Sequence, residues 1–228
     1  MRSADIQTFI QNLEYKFRSN ANYENGLAMS RYMKDHFSFF GINAPLRAEI
    51  KKEWLKVLPE NMSSSDKWEL VHELWKREQR EFHYIAVEYV NGWKNAEMNR
   101  DDIEHLKFLI THRSWWDTVD LLASTFLGKY FLKFPEEKAN IIGQWRNDEN
   151  MWLKRSCLLF QLKYKERTDL QLLKDLIRQF QPIREFFIQK AIGWSLRQYS
   201  KWDPRSVREF VNEIQLSGLA AKEATKYL

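Results

Sequence analysis

The chain has few of the residues that interrupt helices, with 7 Gly and 5 Pro among 228 residues. Leu, Lys, Glu, Gln and Trp are abundant instead, and this composition favours helices over strands. Cysteine is nearly absent as well, because Cys157 stands alone and cannot form an internal disulfide, which fits a reducing compartment. No run of about 18 apolar residues occurs, and the first residues lack the apolar core of a signal peptide. These absences predict a soluble intracellular protein.

Motifs for metal or nucleotide chemistry are also missing. The five histidines include no pair spaced i, i+4 and have no cysteine partner, so a His/Cys metal site is not expected. They are His36, His72, His83, His105 and His112. No Gly-rich phosphate loop is present, and Cys157 is expected to be a buried thiol. The sequence therefore predicts neither a metal nor another cofactor.

Positive charge is in moderate excess. Lys and Arg number 36 against 31 Asp and Glu, which gives a net charge of +5 and a pI of about 9.1. If the excess is gathered on one face, it predicts a polyanionic partner such as nucleic acid. Ordinary solvated charge is the alternative, and net charge alone favours neither.

A repeat runs through the C-terminal two thirds of the chain. Four segments begin at Glu81, Ser114, Asn150 and Glu185, which are separated by 33, 36 and 35 residues. Each has a polar residue followed by an apolar or aromatic pair, interrupted once by His83, and each opens an amphipathic helix. A second helix is expected after each of them, over 103–110, 137–145, 170–180 and 206–214. Helix pairs at this period predict an all-α fold of the α-solenoid type.

The first part of the chain fits this repeat less well. Apolar spacing predicts helices over 6–17, 26–39, 45–57 and 65–75. We interpret about 1–78 as atypical N-terminal helices that cap the regular repeats of about 79–228. No segment has the length or composition of an interdomain linker, so a single domain over 1–228 is predicted.

Segment 114–120 concentrates aromatic and acidic residues, with the sequence Ser-Trp-Trp-Asp-Thr-Val-Asp. Ser114 and Asp117 have the spacing of a capping box, which predicts a structural role for Asp117. Asp120 lies inside the helix and shares a face with Trp116, one turn earlier. A carboxylate there has no capping role. It either forms a salt bridge, with Arg155 as the candidate, or takes part in chemistry.

Stacked repeats would gather further residues around Asp120. Aligned by repeat, Asp120 matches Ser156 and Ala191, with Arg155 one position short and Trp194 three beyond. Neighbouring helices pack about 8–10 Å apart, so Asp120, Arg155 and Trp194 are expected within about 20 Å on one side.

A cationic stripe is expected beside them. Lys190, Trp194 and Arg197 fall at i, i+4 and i+7, where a core stripe would be apolar. The stripe predicts a phosphate-binding face with an aromatic ring embedded in it. For Trp194 alone, core packing is the simpler interpretation.

These residues resemble a known family. The blocks at 114–120, 152–155 with 159–165, and 185–194 closely resemble the bacterial AlkD family of alkylpurine DNA glycosylases, and they keep the family's mutual spacing. The similarity extends to 31–34 and 40–42 and covers nearly the whole chain. The segment 43–47 departs from the more polar version found in the family.

The resemblance implies HEAT-like helical repeats with a basic concave face that cradles duplex DNA. It implies hydrolysis of the N-glycosidic bond of cationic alkylated purines, such as 3-methyladenine and 7-methylguanine, which leaves an abasic site. The family's catalytic aspartate falls on Asp120, its site tryptophans fall on Trp116 and Trp194, and its site arginine falls on Arg155. Arg155, Lys190, Arg197, Tyr32 and Arg47 are the expected DNA contacts.

The resemblance also implies a monomer in the bacterial cytoplasm, associated with the nucleoid, with no obligatory protein partner, no membrane contact and no cofactor. Because no catalytic lysine is implied, strand cleavage is not expected. Two other functions stay open. One is a non-catalytic relative that binds distorted or branched DNA, and the other is a helical-repeat scaffold for proteins.

Overall fold

The computed structural model describes residues 3–227, with side chains described from Asp5 onward, and its regular structure is helical. The predicted all-α fold is confirmed, since this part of the chain contains no strand and a single isolated bridge joins Ser38 to Gln79. No helix within it is long and apolar enough to cross a membrane. Residue contacts divide the chain into two compact units, Met1–Trp93 and Lys94–Leu228.

The N-terminal unit contains α1 to α5. Their bounds are Ser3–Ser19 (α1), Tyr23–Tyr32 (α2), Ala44–Leu55 (α3), Ser64–Trp75 (α4) and Arg80–Asn91 (α5). Four apolar residues on one face of α1, Ile6, Ile10, Leu13 and Phe17, are fully buried, and α1 packs on α3 and α4. Their spacing of four, three and four residues is that of a core-facing helix stripe.

The helix predicted over 26–39 is shorter than expected. Helix α2 ends at Tyr32, and Lys34 and Asp35 then adopt left-handed backbone conformations, each with φ of 57°. The chain continues without helix to the start of α3, because Glu81 binds its backbone there. The buried Glu81 carboxylate accepts N–H bonds from Phe40, Gly41 and Ile42 at 3.1, 2.9 and 3.1 Å. Hydrogen bonds between residues so far apart in the sequence cannot be predicted from the local spacing of apolar residues.

The C-terminal unit contains the regular helix pairs. Its helices are Asp102–Thr111 (α6), Trp116–Leu121 (α7), Gly128–Lys133 (α8), Lys138–Trp145 (α9), Met151–Leu159 (α10), Leu170–Phe180 (α11), Phe186–Tyr199 (α12), Pro204–Glu213 (α13) and Gly218–Ala224 (α14). Helices α7, α10 and α12 begin 35 residues apart, at Trp116, Met151 and Phe186. The second helices of these pairs are α9, α11 and α13, close to the ranges expected for them, so the predicted helix-pair repeat is confirmed.

A π-helical segment joins α7 to α8. It covers Leu122–Leu127 and makes Trp116–Lys133 one continuous helix. Directly after it, Gly128 lies so close to α10 that a Cβ atom there would be 2.7 Å from the Phe160 carbonyl oxygen. The Tyr164 hydroxyl donates to the Gly128 carbonyl at 2.6 Å. These contacts hold the helix that carries Asp120 against the end of α10.

Candidate active site

Asp120, Arg155 and Lys190 occupy equivalent positions, because each is the fifth residue of its helix, α7, α10 and α12 respectively. The expected alignment of Asp120 with Ser156 and Ala191 is therefore wrong by one residue. The cause lies at the helix starts. Trp115, rather than Ser114, takes the N-cap position that corresponds to Asn150 and Glu185. The side chains of Asn150 and Glu185 cap their helices, whereas Trp115 makes no such bond.

Asp120 and Arg155 form a two-pronged ion pair. Arg155 Nε donates to Asp120 Oδ1 at 2.7 Å, and Arg155 Nη2 donates to Asp120 Oδ2 at 2.8 Å. Arg155 Nη1 donates to the backbone carbonyl of Phe187. One guanidinium thus joins α7, α10 and α12. Asp120 is 8% exposed and Arg155 is 4% exposed, so the pair fixes the carboxylate with little solvent around it.

The environment of Asp120 acts on its acidity in opposite directions. Burial raises the pKa of Asp120 above the usual aspartate value, the hydrogen bonds and charge of Arg155 lower it, and the nearby Asp117 raises it. A carboxylate that accepts two N–H bonds from arginine keeps further lone pairs on both oxygens. Asp120 can therefore accept a hydrogen bond from a water molecule or face a developing cation without leaving Arg155.

The helix start expected at Ser114 lies one residue later in the structure. Helix α7 has Trp115 as its N-cap, and the Ser114 hydroxyl donates instead to the carbonyl of Ile110, at 2.6 Å, in the last turn of α6. Asp117 is buried and contributes negative charge near Asp120. Asp117 therefore lies in the first turn of α7 and also acts on the acidity of Asp120.

The two expected site tryptophans are both half-buried. Trp116 precedes Asp120 by one turn of α7, and Trp194 follows Lys190 by one turn of α12. Trp194 is not fully buried, since part of its surface stays exposed. Each indole thus shares its helix with a charged residue of the site, Asp120 on α7 and Lys190 on α12.

Three other aromatic rings pack together beneath the ion pair. Trp115 and Trp152 have ring centroids 5.9 Å apart, and Phe187 lies 5.0 and 5.1 Å from them. The Arg155 guanidinium carbon is 5.8 Å from the Phe187 ring centroid. Phe187 therefore positions Arg155 through both its carbonyl and its ring. The aromatic residues near the helix starts were visible in the repeat pattern of the sequence. The contact of Phe187 with Arg155 was not, because it depends on how α10 and α12 pack.

Lys190 and Arg197 share one acidic partner. Lys190 Nζ lies 2.6 Å from Glu223 Oε1, and Arg197 Nη1 lies 2.5 Å from Glu223 Oε2. Glu223 belongs to α14 and was not among the predicted site residues, because it follows the last block of the repeat pattern. The expected cationic stripe thus carries an internal counter-ion.

Lys163 is a further cation near the site, and it was not among the predicted site residues. Lys163 Nζ donates to the Thr125 hydroxyl, in the π-helical segment, at 2.5 Å. Burial and the positive charge of Lys129 lower the pKa of Lys163. Lys163 lies within a block that resembles the AlkD family, and its approach to Thr125 depends on the packing of α10 against the π-helical segment.

Tyr32 and Arg47 lie in the N-terminal unit. Tyr32 is 68% exposed and borders an apolar cleft of about 270 Å³ that Phe39 and Tyr84 also line. Arg47 forms an ion pair with Glu88, with Nη2 3.1 Å from Oε1, and its guanidinium carbon lies 4.5 Å from the Tyr84 ring centroid. Among the described side chains, no group of three or more His, Cys, Asp or Glu residues could hold a metal ion.

Comparisons with known proteins point to one family. The family model described as DNA alkylation repair enzyme matches residues 13–228. A solved structure titled predicted DNA alkylation repair enzyme, from Enterococcus faecalis, is 36% identical, with a TM-score of 0.82 over 91% of this chain and 96% of that one. No curated protein sequence matches the chain. The match along nearly the whole chain shows that it belongs to the family of DNA alkylation repair enzymes.

Proposed function

We propose that the protein is a monofunctional DNA glycosylase that hydrolyses the N-glycosidic bond of cationic alkylated purines in duplex DNA. 3-Methyladenine and 7-methylguanine are the expected lesions, and an abasic site is the expected product. The observation that carries this proposal is the buried Asp120–Arg155 pair, with Trp116 one turn away on the same helix. A fixed carboxylate with a neighbouring indole suits a substrate that carries positive charge.

The chemistry needs little acid catalysis. A 7-methylated guanine is already cationic, so it leaves as a neutral base when the glycosidic bond breaks. The electrons of that bond go to the base, and positive charge develops on the deoxyribose. The Asp120 carboxylate stabilises this oxocarbenium ion and orients the water that adds to the sugar carbon. One proton of that water passes to Asp120 or to the solvent, which completes the abasic site.

Trp116 and Trp194 contribute to selection of charged lesions. A cation over an indole face gains about 0.5–2 kcal/mol, according to how far both are removed from water. Because both tryptophans are half-buried, their rings keep surface available to the damaged nucleotide. An uncharged purine would gain less from both indoles and from Asp120.

Arg155 has a positioning role in this proposal. Its bonds to Asp120 oppose the effect of burial on the carboxyl pKa, so they favour the ionised form that the mechanism requires. Three of the five N–H groups of the guanidinium are used in bonds to Asp120 and Phe187, and the others remain for a backbone phosphate. The partner of the protein is then double-stranded DNA that contains alkylated bases.

The remaining DNA contacts are assigned to surface groups. Lys190 and Arg197 are proposed to hold phosphates beside Trp194, and Tyr32 and Arg47 are proposed to contact DNA from the N-terminal unit. Affinity that depends on phosphate neutralisation falls as salt rises, with log K linear in log salt. A salt-independent affinity for duplex DNA would contradict this assignment.

The test is incubation of the purified protein with methylated duplex DNA in the presence of a metal chelator, followed by chromatography of the released bases. The proposal predicts release of 3-methyladenine or 7-methylguanine above the spontaneous rate. Salt-sensitive DNA binding without any such release would favour the non-catalytic relative, and absence of both would favour a protein scaffold.

A further inference from the structure

The carboxylate of Glu223 binds both cations of the stripe next to Trp194. Lys190 and Arg197 lie two turns apart on α12, and each contacts a different oxygen of Glu223, at 2.6 and 2.5 Å. The side chains of Lys190, Arg197 and Glu223 are 37%, 22% and 20% exposed. The three charges thus form one cluster at the surface, accessible in part to a macromolecular ligand.

Close packing of two helices fixes the position of Glu223. Gly193 lies on α12 between the two cations, and a Cβ atom there would be 2.4 Å from Glu223 Cβ and 2.8 Å from the Ala220 carbonyl oxygen. Ala220 and Ala224, on either side of Glu223 in α14, are fully buried. The backbone of α14 therefore places Glu223 directly against α12, within reach of both cations.

The cluster has one positive charge left after pairing, since two cations share one anion. Hydrogen bonding from Lys190, with the charges of Lys190 and Arg197, lowers the pKa of Glu223, so its carboxylate is ionised at neutral pH. A DNA phosphate is also a monoanion that offers two oxygens to N–H donors. Glu223 therefore takes one N–H donor from each cation and offsets half of the positive charge that a phosphate would meet.

We propose that Glu223 is an internal competitor of the DNA backbone, which weakens binding of undamaged duplex by occupying Lys190 and Arg197. This inference rests on the proposed function, because it requires those two cations to hold phosphates. Its consequence is selectivity. When backbone contacts are weakened, residence on DNA depends more on contacts that a lesion alone provides, at Asp120, Trp116 and Trp194.

The test is Glu223→Gln, measured by fluorescence anisotropy with an undamaged duplex over a range of salt concentrations. The cluster then gains one unit of positive charge, so the slope of log K against log salt should steepen by about 0.9, and affinity at 0.1 M salt should rise about tenfold. Base release in excess undamaged competitor should slow for the same reason. Glu223→Ala only shortens the side chain beside Gly193, and the same changes are expected for it. This variant replaces Glu223→Gln in the test if the Gln variant does not fold.

A matched control removes an equal charge elsewhere. Glu213 pairs with Arg178 at 2.7 Å on the same unit and has no role in the proposed site. Glu213→Gln should change the affinity by less than about twofold at this ionic strength, because exposed charges are screened beyond about 10 Å. An increase in Glu213→Gln equal to that in Glu223→Gln would mean a general charge effect and would overturn the inference.

The double variant Lys190→Met and Arg197→Met separates this inference from the proposed function. If it weakens DNA binding but neither Glu223 variant tightens it, Glu223 only positions the two cations and the competition is refuted. If the double variant binds DNA as the unchanged protein does, the phosphate assignment itself fails. If all variants behave as expected, Glu223→Gln added to the double variant should raise the affinity much less than it does in the unchanged protein.

Discussion

Substitution of Asp120 by Asn should separate binding from chemistry. The change keeps the size of the side chain and removes the negative charge that faces the substrate in the proposed mechanism. Two unit charges about 4 Å apart interact by about 4 kcal/mol at the effective dielectric constant of a protein surface, which corresponds to about 10³-fold in rate. Arg155 already neutralises part of the carboxylate charge. We therefore expect a smaller loss, of about 10²-fold, in the single-turnover rate of base release.

The same change has a cost in stability that can be estimated separately. Asp120 and Arg155 are both buried, and removal of one partner of a buried ion pair costs about 3–5 kcal/mol, because the other charge stays without compensation. For a chain of this size each kcal/mol lowers Tm by about 2–4 °C, so a fall of roughly 10 °C is expected. Rates must therefore be compared below the melting transition of the variant.

DNA binding is the internal control for this variant. Loss of one negative charge cannot repel phosphates, so the affinity for methylated duplex should persist or rise slightly. A folded Asp120→Asn protein that binds DNA and releases bases at nearly the unchanged rate would refute the role of Asp120. Loss of binding together with loss of rate would mean that the variant reports on folding.

Three further outcomes are expected. Asp117→Asn removes a negative charge that raises the pKa of Asp120, so the acid limb of the pH–rate profile, where Asp120 gains a proton, should move to lower pH; an unmoved limb would contradict the coupling. Gly128→Ala places a Cβ atom 2.7 Å from the Phe160 carbonyl oxygen and should lower stability by about 1–3 kcal/mol in thermal melts, whereas Gly143→Ala, with nothing within 4 Å, should stabilise by about 0.5–1 kcal/mol. Trp116→Leu should slow release of cationic lesions by about 2- to 30-fold, the rate equivalent of a lost cation–π contact, and a rate that does not change would remove Trp116 from the site.

Much of the fold could be predicted from the sequence because it is repetitive. The helix-pair period followed from polar-to-aromatic starts at 33–36 residue intervals, and the all-α fold is confirmed over residues 3–227. The alignment of the repeats was wrong by one residue, since helix starts depend on which residue takes the N-cap position. Ser114 has the chemistry of a cap, but Trp115 takes the N-cap position, and the Ser114 hydroxyl donates to the Ile110 carbonyl of the preceding helix.

Part of the site could be predicted for the same reason. The pairing of Asp120 with Arg155 was one of two alternatives considered for that carboxylate, and it follows from their 35-residue separation. The contact of Glu223 with the cations of α12 could not be predicted, because it depends on how closely α14 approaches Gly193. The three N–H bonds of Glu81 were hidden for the same reason, since they join segments about 40 residues apart.

The π-helical segment also left no local signal. Its residues, Leu122–Leu127, have ordinary helix-forming composition, and Gly128, which packs against the end of α10, follows directly after them. Segments of this kind are frequent near functional sites, and this one begins two residues after Asp120.

The most direct measurement is the single-turnover release of 7-methylguanine from a defined duplex that carries one lesion, with the product strand analysed before and after alkali. We expect release well above the spontaneous rate without added metal, and an intact strand that breaks only when alkali cleaves the abasic site. Release no faster than the spontaneous reaction would contradict the proposed glycosylase. Strand breakage before alkali would contradict simple hydrolysis at Asp120.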